Sequence, residues 1–371
     1  MSLLASTNLQ PRASLESEAR TLLAEATDKF KAKPFAPHRI LKQRDAQTFG
    51  AHFWPGRFRT RDQSGDELRL FEVEPGSKVL ARCRWQANRA EHPTLVMWHG
   101  MEGSTSSAYM LTTAHKAFRA GFNVVRMNHR NCGDTEHLSP GLYHGGLTAD
   151  LRAVIDELIA SDHLSRLFIV GFSLGGNMVL KLAGEYEDNP RPEVKAVCTV
   201  SPSVNLRAGC NSLMRRRNWI YHQDFLRRLK HTIRLKEKLF PDLYDSTGLR
   251  GVRTIEQFDD RYVAPPFGFA NADDYYAKAS SLPLIGRIRI PTLIIHAQDD
   301  PFIPFAPLRD PSIGANPYVL LIATERGGHV AFISDDSLDE DRFWAENRVV
   351  EFCQMIAGNS ESEGQGISEC G

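Results

Sequence analysis

Short apolar runs alternating with stretches of helical period constrain this chain more than any other feature. The runs are TLVMW (94–98), NVVRM (123–127), LFIVG (167–171), VKAVCTV (194–200), TLIIHA (292–297) and YVLLIA (318–323). Each is too short for a buried helix and lacks the alternation of a strand with one wet face, so each reads as a strand buried on both sides. Helical periodicity falls between them, at 107–120, 148–160, 174–187 and 342–357. Strands separated by helices predict an α/β fold with a mostly parallel, doubly wound sheet.

The remaining segments attach to that core. Residues 14–30 carry apolar positions at helical spacing, with Ser14 as the expected N-cap; a Pro-rich stretch at 33–38 ends the helix and leads into irregular chain. Residues 68–85 read as a hairpin turning at Pro75-Gly76. From 203 to 286 no strand signal occurs and Arg, Lys and aromatic residues are frequent, as expected of a helical cap over the carboxyl ends of the strands. The expected organisation is an N-terminal helical extension (1–55), an α/β core (56–202 and 287–357), the cap (203–286) and a small, polar, disordered tail (358–371).

Composition excludes several classes. With 45 basic and 45 acidic residues the formal net charge is zero, which gives no electrostatic basis for nucleic-acid binding. The six cysteines form no CxxC pair, so no metal site, cofactor anchor or disulfide framework is expected, and reduced thiols fit a cytoplasmic protein. No signal peptide is evident at the N-terminus. No stretch approaches the roughly 18–20 apolar residues of a membrane span. Nothing in the sequence specifies an oligomeric state.

Gly171-Phe172-Ser173-Leu174-Gly175 follows a buried strand and opens a helix. A G-x-S-x-G at a strand-to-helix junction is the pattern of a nucleophile elbow, a turn sharp enough to leave the Ser173 hydroxyl clear of the backbone. Serine is a weak nucleophile until a base takes its proton. In this fold the acid and then the histidine follow the serine in the chain. Of the histidines after Ser173, His296 lies inside a strand run and His222 and His231 in the basic insertion, whereas His329 sits on a Gly-Gly loop after the last strand. His329 is therefore the expected general base. Asp299 and Asp300 both occupy the loop after 292–297, and backbone preference alone does not separate them. The expected oxyanion donors are the backbone N–H groups of Leu174 and Met101, with His99 holding the loop that carries Met101.

HGMEGS (99–104), NHRNCGD (128–134), GLYHGGLTADL (141–151), GFSLGGN (171–177), DDYYAKASS (273–281), HAQDDPFIP (296–304) and GGHVAF (327–332) together resemble the YheT-like α/β hydrolases. That family includes bacterial hydrolases, plant embryogenesis-associated proteins, mammalian membrane-anchored phospholipid hydrolases and yeast medium-chain ethyl-ester synthases. The resemblance spans roughly 55–357. It implies Asp300, four residues before Pro304, as the acid beside Ser173 and His329. It also implies esterase or lipase chemistry on short- to medium-chain acyl esters, monoacylglycerols among them. Cys132 stands where the family carries an Arg-Gly step and is expected to fill space rather than react. The membrane anchor of the mammalian members has no counterpart here, so no bilayer-spanning role is expected.

The same residues would serve acyl transfer to an alcohol, and a non-catalytic binding module would keep the fold without the chemistry. A dehalogenase would need an aspartate where Ser173 stands. Between 207 and 238 ten Arg or Lys residues face two acids, Asp224 and Glu237. A basic amphipathic cap of this kind is expected either to form a solvated lid or to touch anionic lipid peripherally.

Overall fold

The computed structural model describes residues 12–54, 63–187, 189–335 and 340–365. Its strands are β1 (Glu67–Glu74), β2 (Ser77–Arg84), β3 (Thr94–Trp98), β4 (Asn123–Met127), β5 (Leu167–Phe172), β6 (Val194–Val200), β7 (Thr292–Ala297) and β8 (Val319–Thr324). They form one 8-stranded sheet in the order β1-β2-β4-β3-β5-β6-β7-β8. The β1–β2 hairpin and the β2–β4 pair are antiparallel, and every other pair is parallel. The chain leaves β3 for β4 on one side and returns to β5 on the other. The carboxyl ends of β3 and β5 therefore flank the crevice where a doubly wound sheet binds ligands.

The helices are α1 (Arg12–Lys31), α2 (Arg44–Phe53), α3 (Ala108–Arg119), α4 (Thr148–Asp162), α5 (Leu174–Tyr186), α6 (Leu206–Leu213), α7 (Trp219–Leu239), α8 (Ile255–Phe258), α9 (Ala272–Ala279), α10 (Pro311–Ala315) and α11 (Trp344–Gln365). The continuous apolar runs are explained by cover on both faces. Leu95, Met97, Phe168, Val170, Leu293 and Ile295 share one core with α1, α3 and α11. Val96, Trp98, Ile169 and Ile294 point the other way, into a core with α4 and α5. Each such side chain is worth about 1.5–3 kcal/mol relative to exposure.

Four local expectations need correction. Ser14 is not an N-cap: the helix already runs from Arg12, and the Ser14 hydroxyl donates to Glu18 Oε1 at 2.9 Å. The stretch after the Pro-rich segment is not irregular throughout, because it contains α2. The last strand is Val319–Thr324, one residue later than the apolar run. The final helix continues to Gln365, into the stretch expected to be disordered; 366–371 lie outside the described residues.

Between β6 and β7 the described chain is helical and has its own apolar cluster. Leu206, Leu226, Ile233, Phe258 and Tyr276 pack there with Phe302 and Ile303, and Met101 and Leu174 join from below. This segment thus roofs the carboxyl ends of β3 and β5.

Candidate active site

Ser173 directly follows β5 with φ 53° and ψ −116°, a strained conformation held by its N–H donating to the Val200 carbonyl at 2.9 Å. Close approach of backbone on both sides requires the two glycines. A Cβ on Gly171 would lie 2.4 Å from the Gly175 carbonyl oxygen, and one on Gly175 would lie 2.4 Å from the His99 carbonyl oxygen. Both obstacles are backbone, so they cannot swing away. Gly175→Ala is accordingly expected to push α5 from β3. The expected cost is about 1–3 kcal/mol of stability and about a hundredfold in ester turnover, through misplacement of Ser173. Thermal unfolding and initial rates check this, and wild-type values in both would refute it.

The Ser173 hydroxyl donates to His329 Nε2 at 2.9 Å, and His329 Nδ1–H donates to Asp300 Oδ2 at 2.8 Å. Asp300 is buried, and its Oδ1 accepts the N–H groups of Phe302 at 2.8 Å and Ile303 at 2.9 Å. The structure therefore brings Ser173, His329 and Asp300 together. Asp299 does not reach the imidazole; its Oδ1 accepts the Gly328 N–H at 3.0 Å, and burial raises its pKa above the ordinary aspartate value. It holds the loop that carries His329. Of the other candidate histidines, His231 is exposed on α7 and the remaining two are engaged elsewhere. His222 Nε2 accepts the Ile255 N–H at 3.1 Å, and buried His296 bonds the Ile303 carbonyl at 3.1 Å.

The loop after β3 carries the expected oxyanion donor. Gly100 N–H donates to Tyr109 Oη at 3.0 Å, Glu102 N–H to Tyr143 Oη at 3.1 Å, and Gly103 N–H to the Gly100 carbonyl at 3.1 Å. Among the described residues the Met101 N–H has no such partner, and Leu174 is the first residue of α5, where a helix leaves its N–H free. Both groups remain available at the serine.

His99 fixes this loop. Its Nδ1–H donates to the Gly100 carbonyl at 2.7 Å and its Nε2 accepts the His129 N–H at 3.2 Å. Burial holds His99 well below the ordinary imidazole range and His129 down to about 4, so both are neutral near pH 7. Tyr143 stacks on His129, with ring centroids 5.1 Å apart, and donates to Glu102 Oε1 at 3.1 Å. Cys132 is buried and its thiol is pushed well above its ordinary value, which leaves it a poor nucleophile at neutral pH.

Sequence reasoning missed several positioning residues. Thr48 of α2 accepts the His329 N–H through Oγ1 at 3.0 Å. Its neighbour Gln47 exchanges two 2.9 Å hydrogen bonds with the Ile333 backbone. Asn177, at the end of the GFSLGGN motif, ties three segments. Its Nδ2 donates to the Gly145 carbonyl at 2.7 Å and the Ala279 carbonyl at 2.8 Å, and its Oδ1 accepts the Ser281 N–H at 2.8 Å.

A cavity of about 390 Å³ opens above the serine, lined mainly by apolar side chains such as Leu142, Leu206, Leu213, Phe225, Leu229 and Val263. Three carboxyls also line it, Glu102, Asp224 and Asp259. Burial pushes Glu102, beside Met101, up to about 7, and Asp259, whose partner is the Tyr276 hydroxyl at 2.5 Å, likewise up to about 7. Among the described residues no His, Cys, Asp and Glu cluster could hold a metal ion, and no helix is long and apolar enough to cross a membrane.

Known proteins share this arrangement of chain. The α/β hydrolase fold family matches residues 93–336. The Escherichia coli (strain K12) protein named "Putative esterase YheT" is 35% identical over 270 residues, which cover 71% of this chain and 78% of that protein. A monoacylglycerol lipase of Saccharomyces cerevisiae is 32% identical over 274 residues, covering 71% of this chain and 59% of the lipase. The chain thus spans less than two thirds of that relative. Among solved structures, a 2,6-dihydroxy-pseudo-oxynicotine hydrolase has a TM-score of 0.53 at 16% identity and covers 96% of this chain and 91% of its own. The Pyrococcus furiosus esterase Pf2001 has a TM-score of 0.50 at 19% identity, over 78% of this chain and 93% of its own. At those identities the structural likeness speaks for the fold alone.

Proposed function

The chain belongs to the α/β hydrolase fold family, among the relatives of YheT, and is a hydrolase of the esterase and lipase type; on that footing we propose that it cleaves acyl esters through an acyl-enzyme on Ser173. Ser173 Oγ attacks the ester carbonyl carbon while His329 Nε2 takes the hydroxyl proton. The negative charge that develops on the carbonyl oxygen is met by the N–H groups of Met101 and Leu174. The carbon–oxygen bond to the alcohol then breaks, and His329 gives its proton to the departing oxygen. Water, deprotonated by the same Nε2, attacks the acyl carbon, and Ser173 leaves as the free hydroxyl. Asp300 keeps the His329 proton on Nδ1 and stabilises the imidazolium formed in each half-reaction.

The observation that carries this reading is the position of His329, within hydrogen-bond distance of both Ser173 and Asp300. The apolar lining of the cavity suits an acyl chain, and the yeast relative's name points to monoacylglycerols as one substrate class. Incubation with a fluorophosphonate probe is expected to label Ser173, and a p-nitrophenyl ester series from butanoyl to hexadecanoyl to show highest turnover below dodecanoyl. Folded protein that neither labels nor hydrolyses any member of the series would overturn the proposal.

A further inference from the structure

Part of the basic excess of the roof is paired within the molecule, while Arg234 and Lys238 are exposed on α7 and form no ion pair among the described residues. Asp224 pairs with Arg227 at 2.6 Å and Arg228 at 2.9 Å, and Arg207 pairs with Glu256 at 2.7 Å and with Asp273. Lys230 donates to the Val252 carbonyl, and buried Lys236 donates to the Glu136 and Ser139 carbonyls. The turn between α6 and α7 concentrates three more. Arg215, Arg216 and Arg217 are consecutive and exposed, and none forms an ion pair among the described residues. Arg44 and Arg215 stand close enough to Arg217 for their charges to lower its pKa, beyond the larger effect of partial burial. Directly after this turn come Trp219, 61% exposed, and Ile220, 71% exposed.

Two links join the turn to the catalytic end of the sheet. Asn218 is buried, and its Nδ2 donates to the Pro301 carbonyl at 2.7 Å, the residue after Asp300. Tyr221, following Ile220, stacks on Phe49 of α2 at 5.0 Å and meets Phe302 edge-on at 4.4 Å; Phe302 in turn lies 4.8 Å from the His329 ring. Phe49 is itself half exposed. The exposed Leu239 and Leu243 lie at or beyond the far end of α7, about 30 Å along the helix, with no such connection.

We propose that the Arg215–Ile220 turn is a docking surface for anionic lipid, holding the catalytic end of the sheet near a membrane that carries its ester substrates. Guanidinium groups beside an indole and an aliphatic tip match a surface whose outer layer is negative and whose inner layer is apolar. A nucleic acid or acidic protein would satisfy the arginines but leave Ile220 in water. The inference rests on the esterase reading only for the identity of the substrate; the docking itself needs no chemistry.

Sedimentation with vesicles of phosphatidylcholine alone, or of phosphatidylcholine with phosphatidylglycerol, tests it. Wild type is expected to bind the anionic vesicles at least tenfold more tightly than the neutral ones at low ionic strength, and to lose most of that preference in about 0.5 M salt. Charge reversal of Arg215, Arg216 and Arg217 to Glu is expected to weaken binding about a hundredfold. Trp219→Ser with Ile220→Ser is expected to weaken it about tenfold. Both variants should turn over a soluble short-chain ester at the wild-type rate, which shows that they fold. Ser173→Ala should bind vesicles like wild type, so a failed catalytic assignment and a failed docking surface give different results. Absence of binding to anionic vesicles, or equal binding by the charge-reversed protein, would overturn the proposal. So would vesicle affinity untouched by Trp219→Ser with Ile220→Ser, which would indicate a bare polyanion site.

Discussion

Ser173→Ala is expected to lower ester turnover by about 10⁴- to 10⁶-fold while leaving the protein folded. The substitution removes one oxygen and keeps the Cβ, so it preserves the packing of Ser173 against Gly100 and the Val200 bond that holds the elbow. The lost hydrogen bond to His329 is a partly buried contact, and its net worth is on the order of 1 kcal/mol. Activity and stability therefore separate. Any residual rate would come from substrate held against the Met101 and Leu174 N–H groups without a nucleophile. Kinetics with p-nitrophenyl butanoate, together with a melting curve, read both quantities. Retention of more than about one per cent of the wild-type rate would remove Ser173 from the mechanism.

The parts of this molecule that were legible in its sequence are those whose constraint is local. An apolar run covered on both faces has no alternation, so the strands from β3 to β8 announce themselves within a residue. The elbow is legible because a strained turn between a strand and a helix needs small residues on either side of Ser173, and those backbone approaches are close enough that a Cβ at 171 or 175 would force the backbone to shift. His329 could be singled out by elimination, since the strand and the insertion absorb its rivals.

What stayed hidden depends on contacts between distant segments. The helix α2 is only ten residues long; it is held by Gln47 on the Ile333 backbone and Thr48 on the His329 N–H, partners far along the chain that no local pattern reveals. The basic character of the roof was visible as a sum of charges. Its distribution was not: Arg227 and Arg228 pair with Asp224 one turn back in α7, but the pairing of Arg207 with Glu256 and Asp273 depends on the packing of α6 against α8 and α9. Motifs such as GFSLGGN and DDYYAKASS could be recognised without their reason. The reason is Asn177, which joins the elbow helix to Gly145 and to the end of the roof.

The two adjacent aspartates give the most discriminating test. Asp300→Asn is expected to cost about 10³- to 10⁴-fold in kcat, and Asp299→Asn less than about tenfold. In Asp300→Asn the amide oxygen can keep the Phe302 and Ile303 N–H groups, which anchor the loop. The amide nitrogen then faces His329 Nδ1 where a carboxylate oxygen stood. An N–H cannot accept the Nδ1 proton, so the imidazole shifts its proton to Nε2, the atom that must receive the Ser173 proton. The geometry survives and the chemistry stops. Asp299→Asn preserves an acceptor for the Gly328 N–H, and no proton on His329 depends on it. Equal losses in the two variants would mean that both act by holding the loop, and would withdraw the assignment of Asp300 as the partner of the imidazolium.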